Sequence, residues 1–356
     1  MEKKMTKFLS DKIKILSLFL IILVLYIHSG FHANEIDGMY WNNFIQEYIS
    51  GKIGRLAVPL FFMISGYLFF TRIDNGIMSI KRKIKSRIKT LLLPYIYGCL
   101  YFTAFVFALN SVPGINDHVN ERDLTFLNQS VLLVIKNLFW IGTNSNAPFA
   151  FHLWFIRNLI VIVALTPILY YLLNLLKWWL ILVLLAFTLI PIIPSSLFSS
   201  LFWFSVGAVF AVTKTNVDYK KSILGIVILS LYLSFSLLEL ICGLIIPDPA
   251  LKLLIIWGIV GIWLCYDFMG GNNFFIKGPK WFSIASGFTF FIYLFHEPTL
   301  NIVRKVIVIF LGKDSIGYLI SYLLSPFIFV FIMVYIGLLL KRFIPKIYSN
   351  LVGGRI

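Results

Sequence analysis

Residues 317–340 read GYLISYLLSPFIFVFIMVYIGLLL, an apolar stretch without a single charged residue. As an α-helix this stretch would be about 36 Å long, which exceeds the roughly 30 Å hydrocarbon thickness of a bilayer. Backbone polar groups in hydrocarbon must bond within their own segment, so a helix is the expected form. The stretch therefore predicts a transmembrane helix, and similar apolar stretches recur along the chain.

The composition of the whole chain supports the same interpretation. Of its 356 residues, 60% are hydrophobic and only 13% are charged, whereas soluble proteins carry about 25% charged residues. This excludes a cytosolic protein and predicts an all-α, polytopic integral membrane protein. The formal net charge of +16 accumulates at the ends of apolar stretches, so it indicates membrane topology and no nucleic-acid partner. The three cysteines lie singly in apolar segments, which argues against disulfides and a zinc site.

About ten apolar stretches are candidates for spanning helices. Lys and Arg residues concentrate in the connecting segments that share a side with the N-terminus, so the positive-inside rule makes these segments and both termini cytoplasmic. We expect one transmembrane domain, 1–356, with a bundle over 13–340, a short tail over 341–356 and no appended soluble domain. The apolar segment 127–141 is too short to cross and predicts an interfacial or re-entrant piece. The predicted spans are 13–29, 53–70, 88–109, 152–173, 178–193, 197–212, 222–246, 251–268, 283–310 and 317–340.

Several ionisable residues fall inside these spans, where charged groups are costly and usually functional. With a rise of about 1.5 Å per residue, His28 and the pair His296 and Glu297 reach a similar depth in the outer half of the membrane. His152 is at the outer end of its span, and Arg157 follows slightly deeper. Imidazole and carboxylate groups gathered at one depth are suited to proton transfer to or from a hydroxyl group.

These residues also have structural interpretations, which the sequence leaves open. His28 could bond a neighbouring carbonyl at a helix end, His152 could belong to an interfacial belt, and Glu239 could be paired with a lysine or water. Pro298, directly after Glu297, predicts a kink that lines a cavity. It also leaves a backbone carbonyl for an imidazole or water to use. The competing view is that Pro298 only bends a long helix.

A second candidate site is the basic stretch 81–89, KRKIKSRIK, which leads into the span 88–109. Cations three to five residues apart share a helical face, and arginine offers the bidentate geometry that phosphate groups accept. Arg82, Lys83 and Arg87 therefore predict a polyphosphate site for a nucleotide-bearing donor. The alternative is a topology anchor that contacts anionic lipids.

Five short motifs cover nearly the whole chain. They are Tyr26-Ile27-His28, the 55–67 segment, the basic stretch ending at Arg87 with Leu92-Leu93-Pro94-Tyr95, Phe151-His152-Leu153-Trp154-Phe155, and Ile292-Tyr293-Leu294-Phe295-His296. The most specific motif, 55–67, reads RLAVPLFFMISGY. In the order and spacing of these motifs, the chain resembles the membrane acyltransferase-3 family of bacterial O-acyltransferases that modify surface glycans, and 55–67 is similar to the family pattern Arg-x-x-x-Pro-x-Phe-Phe-x-x-Ser-Gly.

The resemblance implies transfer of an acyl group, usually acetyl, from cytoplasmic acyl-CoA to a hydroxyl of an extracytoplasmic or lipid-linked glycan. His28 takes the position of the family's essential histidine and would be the general base. The family commonly has an arginine eleven positions earlier, where this chain has Ser17, and Lys14 is the candidate replacement. The implied residues are His28, His296, Glu297 and His152 for catalysis; Arg82, Lys83, Arg87 and Lys14 for the donor; and Arg55, Ser65, Trp154 and Arg157 for the substrate.

The resemblance also defines the expected partners. Acetyl-CoA is the expected acyl donor, a glycan or lipid-linked sugar is the acceptor, and no metal ion is expected. The protein is expected in the cytoplasmic membrane of a bacterium, in contact with membrane lipids. An alternative function is export of a glycan or lipid-linked intermediate, which would use the polar layer as a binding site near the midplane of the membrane.

Overall fold

The computed structural model describes residues 5–31, 39–71, 73, 76–111, 125–141, 147–189, 196–219, 223–271 and 280–354. Across these ranges the chain forms helices and no strands, which confirms the all-α prediction. A π-helical stretch, Glu47–Ile53, and a short 3₁₀ turn connect α2 to α3. The α-helices are α1 (Lys7–His28), α2 (Met39–Gln46), α3 (Ala57–Phe70), α4 (Gly76–Asn110), α5 (Val131–Phe139), α6 (Trp154–Leu176), α7 (Trp178–Leu189), α8 (Ser196–Val212), α9 (Leu224–Ile241), α10 (Asp248–Gly271), α11 (Lys280–Ser286), α12 (Thr289–Leu311), α13 (Ser315–Phe343) and α14 (Pro345–Leu351).

Six helical stretches in the described part of the chain are long and apolar enough to cross a membrane, so this is a membrane protein with several spanning helices. Every predicted span contains a helix, but α7 and α8 are short, and α1 and α12 each carry several charged residues. The number ten and the orientation of the termini therefore stay predictions. The six stretches are Tyr40–Phe70, Gly76–Asn110, Phe151–Leu176, Leu224–Ile241, Ala250–Met269 and Ser315–Phe343.

The structure corrects one predicted span and adds detail to a second predicted segment. The single span predicted over 283–310 is wrong at its start, because α11 ends at Ser286 and a separate helix, α12, begins at Thr289. The 127–141 segment contains the nine-residue helix α5, about 13.5 Å long. A helix of this length does not cross a bilayer, as predicted.

Helix α1 is the central element of the bundle. It packs against α3, α10, α11, α12 and α13, and its side chains Leu20, Ile21 and Leu25 are completely buried. Because the buried side chains lie on several sides of the helix, α1 is stable only when surrounded by other helices or lipid. The helix begins where Thr6 Oγ1 accepts a 3.1 Å hydrogen bond from Leu9 N, and it ends at His28. Its two ends therefore place basic residues and His28 at opposite ends of the bundle.

The acyltransferase-like motif of α3 brings two helix backbones into direct contact. A Cβ atom added to Gly66 would lie 2.0 Å from the carbonyl oxygen of Phe204, and one added to Gly207 would lie 1.8 Å from that of Met63. Glycine at both positions therefore permits α3 and α8 to approach more closely than side chains would allow. This contact fixes the rotation of α3, so that the neighbouring Ser65 lines the internal cavity described below.

Candidate active site

A cavity of about 500 Å³ lies beside α1 and between α3, α4, α6 and α12. Its lining is mostly apolar, with polar residues near its two ends. Lys14, Ser17 and Arg87 line one end, here called the Lys14 end. His28 and His152 line the other, here called the His28 end. Since fourteen residues of α1 separate Lys14 from His28, the two ends are about 21 Å apart.

At the His28 end, an imidazole faces a carboxylate. The Nδ1 atom of His28 lies 3.6 Å from Oε1 of Glu297, and the ring centroids of His28 and His296 are 5.0 Å apart. This geometry confirms the expectation that these three residues reach a similar depth. The carboxylate is largely buried, so it can orient the imidazole and stabilise its protonated form.

The break in α12 has one of the consequences that the sequence predicted, a backbone carbonyl that an imidazole uses. Glu297 has non-helical torsion angles, φ −105° and ψ 135°, and Pro298 provides no N–H for the carbonyl of Leu294. That carbonyl accepts instead a long hydrogen bond, 3.4 Å, from Nε2 of His152. The ring of His152 lies 4.9 Å from the ring of His296. The kink therefore brings a second motif of the chain to the His28 end.

His296 is held in one orientation by its own helix. Its Nδ1 atom donates a 2.7 Å hydrogen bond to the carbonyl of Tyr293, and its buried Nε2 atom has no hydrogen-bond partner among the described residues. The hydroxyl of Tyr293 donates to the carbonyl of His152 over 2.7 Å. Because the carbonyl oxygen of Tyr293 can only accept a hydrogen bond, a neutral His296 carries its proton on Nδ1 and has a lone pair on Nε2.

The sequence analysis missed the residues that hold the end of α1 in place. Arg304 donates hydrogen bonds to the carbonyl of Gly30 and, over 2.7 Å, to Asn301, and its guanidinium lies 4.2 Å from the centre of the Phe31 ring. On another side, Ser50 donates a 2.8 Å hydrogen bond to the carbonyl of Tyr26. Arg304 falls within the predicted span 283–310, so its charge inside an apolar stretch was an available signal.

The Lys14 end gathers part of the predicted donor site. Arg87 and Lys14 both line the cavity, as does Ser17, the position where the resemblance implied an arginine. Lys83, one turn before Arg87, donates a 2.7 Å hydrogen bond to the carbonyl of Phe69, and Phe69 itself lines the cavity. Arg82 is exposed and is not among the lining residues. The basic stretch therefore contributes Arg87 directly and Lys83 through a neighbour.

The predicted substrate residues separate into two groups. Ser65 and Trp154 line the cavity. Arg157 does not, since its guanidinium donates a 2.7 Å hydrogen bond to the carbonyl of Trp140 and further bonds to Asn158, which fixes the segment after α5.

Arg55 belongs to a different cluster. Its Nη2 atom lies 3.0 Å from Glu239, which also binds Lys52 at 2.6 Å. Tyr232 joins the cluster by donating a 2.7 Å hydrogen bond to the carbonyl of Lys52. The structural interpretation of Glu239, a carboxylate paired with a lysine, is therefore the one observed, and Arg55 shares that pairing.

These features define a class of protein: a helical membrane protein with an internal cavity that has Lys14 and Arg87 at one end and His28 and His152 at the other, where the Glu297 carboxylate lies 3.6 Å from His28 without itself lining the cavity. Residues 12–342 match the family model described as an acyltransferase domain, and the chain belongs to this membrane acyltransferase-3 family.

One curated relative extends over most of the chain. The succinoglycan biosynthesis protein ExoH of Rhizobium meliloti (strain 1021) is 25% identical over 315 residues, which cover 82% of this chain and 78% of that protein. No solved structure gives a significant match. The family indicates an acyltransferase in the membrane.

Proposed function

We propose that this protein is an integral membrane O-acyltransferase. It transfers an acyl group, which we propose is acetyl, from cytoplasmic acyl-CoA to a hydroxyl of a glycan or lipid-linked sugar. The observation that carries the proposal is the cavity that joins Arg87 and Lys14 to His28. A donor with phosphate groups at one end and a reactive thioester at the other matches a site of this form. Family membership supports the same reaction class.

The donor would enter at the Lys14 end. The positive-inside rule assigns this basic end of the bundle to the cytoplasm, where acyl-CoA is available. Arg87 and Lys14 provide positive charge for the phosphate groups. The apolar middle of the cavity accepts the pantetheine arm, which extends along α1 so that the thioester reaches the His28 end.

The chemistry would take place at the His28 end. The hydroxyl of the acceptor attacks the carbonyl carbon of the thioester, and His28 takes the hydroxyl proton as general base. Glu297 orients His28 and stabilises its protonated form. When the tetrahedral intermediate collapses, the carbon–sulfur bond breaks, and the coenzyme A thiolate leaves and recovers the proton from His28.

A glycan acceptor is the class that the relative supports, since ExoH is named as a succinoglycan biosynthesis protein. The proposal is tested by incubating the purified protein, reconstituted in lipid, with acetyl-CoA labelled in its acetyl group and with lipid-linked sugars or polysaccharide from the source cells. We expect label in the glycan and release of free coenzyme A. Release of neither product, with a protein that remains monodisperse, would contradict the proposal.

Arg87→Gln is expected to raise the KM for acetyl-CoA by about 10- to 150-fold, because a lost hydrogen bond to a charged group costs about 1.5–3 kcal/mol. The turnover number at saturating donor should change much less, since Arg87 is distant from His28. The measurement is initial rate against acetyl-CoA concentration. Arg82→Gln is the matched control, because it removes the same charge from the same helix at an exposed position. An unchanged KM in both variants would reduce the basic stretch to a topology anchor.

A further inference from the structure

The 345–354 segment, which follows α13, packs back onto the bundle. Within it, α14 buries Tyr348, which is 2% exposed, while Ile347 on the same short helix faces outward and is 53% exposed. The Tyr348 ring lies 5.9 Å from the ring of Phe288 and 5.7 Å from that of Phe291. These two phenylalanines lie at the start of α12, so the segment lies against the beginning of the helix that carries His296.

Two successive glycines determine the path of the chain after α14. Gly353 and Gly354 have φ angles of +63° and +75°, a left-handed conformation that glycine adopts without steric cost. Gly353 also lies directly against α4, because a Cβ atom there would be 2.2 Å from the carbonyl oxygen of Thr90. The amide of Gly354 donates a 2.8 Å hydrogen bond to the carbonyl of Ser349. Glycine at 353 therefore satisfies both the torsion angle and the close approach.

This path brings Val352 into the wall of the cavity. Val352 is 1% exposed, and it lines the cavity together with Arg87, Leu91 and the turn at Gly287. Gly353 contacts α4 at Thr90, which is one helical turn after Arg87. The Thr90 hydroxyl donates a 3.2 Å hydrogen bond to the carbonyl of Arg87. Residue 352 is therefore at the same end of the cavity as the cation assigned to the donor phosphates.

We propose that Val352 is part of the donor site and forms the wall against which acyl-CoA packs beside Arg87. The inference rests on the proposed function, because it takes acyl-CoA as the occupant of the Lys14 end. The arginine suits the phosphate groups, and the methyl groups of Val352 suit the neighbouring apolar part of the pantetheine arm. Since His28 is at the other end of the cavity, the side chain at 352 controls donor binding and leaves the chemical step unchanged.

Val352→Trp tests the inference in the full-length protein, with coenzyme A binding measured by isothermal titration calorimetry. Overpacking a filled site commonly costs enough to weaken coenzyme A binding about 10-fold or more. The turnover number at saturating acetyl-CoA should stay near wild type. Ile347→Trp is the matched control, because it adds the same side chain to the outward face of the same segment, and its binding should equal that of wild type.

A labelling experiment covers the case in which Val352→Trp does not fold. Val352→Cys should react with a small thiol reagent and be protected by coenzyme A, whereas Ile347→Cys should react equally with and without it. Wild-type protein that binds no coenzyme A would overturn the proposed function and this inference together. Wild-type binding, combined with unchanged binding by Val352→Trp or with an unprotected Val352→Cys, would overturn this inference alone.

Discussion

His28→Ala is expected to lower the turnover number for acyl transfer by about 10²–10⁴-fold, the usual range for loss of a general base. Coenzyme A affinity should stay near wild type, because the cationic residues that would bind its phosphates are about 21 Å away along α1. The measurements are product formation at saturating acetyl-CoA and, separately, coenzyme A binding by calorimetry. Retained binding with lost turnover identifies a residue of the chemical step.

One further variant distinguishes this role from a structural one. Glu297→Gln keeps the shape of the side chain but removes the charge that faces His28 at 3.6 Å. It should lower turnover less than His28→Ala, because the imidazole remains available as general base but loses the carboxylate that orients it. Thermal stability in detergent should be similar for all three proteins. Turnover of His28→Ala close to that of wild type would remove His28 from the mechanism.

The depth of a side chain along its helix was predictable from the sequence, and this correctly placed His28 at the level of His296 and Glu297. The reason is that each residue adds a fixed rise, so counting from the helix ends gives the level of a side chain. Counting does not give the direction in which the side chain points. Arg157 is near the same level, but its guanidinium binds the carbonyl of Trp140 on another side of α6. Direction depends on helix packing, which one sequence does not specify.

The basic stretch 81–89 also shows that the sequence does not give the direction in which a side chain points. Arg82, Lys83 and Arg87 were predicted as one site, and their spacing is compatible with a shared face. In the structure only Arg87 lines the cavity, while Lys83 bonds to the backbone of α3 and Arg82 is exposed. A rotation of α4 by a fraction of a turn would exchange these roles, and that rotation is set by the helices packed against it.

The sequence did not predict a buried ion pair at the start of α1, because each partner has another interpretation in the sequence. Lys12 belongs to a run of basic residues that indicates a cytoplasmic anchor, and Asp267 lies near the end of a predicted span. In the structure the two side chains are completely buried and their charged atoms are 2.7 Å apart. The Lys12 ammonium also lies 3.8 Å from the centre of the Trp263 ring, and Asp267 accepts a hydrogen bond from the amide of Tyr219.

Removing either partner of this pair is expected to destabilise the protein by about 3–5 kcal/mol, because the remaining charge is buried without compensation. Lys12→Met and Asp267→Leu should therefore each lower the apparent melting temperature strongly, as measured by size-exclusion chromatography after heating in detergent. Lys7→Met is the matched control, since it removes the same charge from an exposed position of the same helix. Its melting temperature should stay near that of wild type.

The double variant Lys12→Met with Asp267→Leu separates burial of charge from loss of packing. Replacing both members of a buried pair by apolar side chains of similar volume is often neutral or stabilising, so the double variant should recover most of the stability that each single variant loses. Because the pair joins α1 to α10, recovery would mean that apolar packing alone can hold the start of α1, from which Lys14 and Ser17 line the cavity. Single variants as stable as Lys7→Met would show that the pair contributes nothing to the stability of the protein.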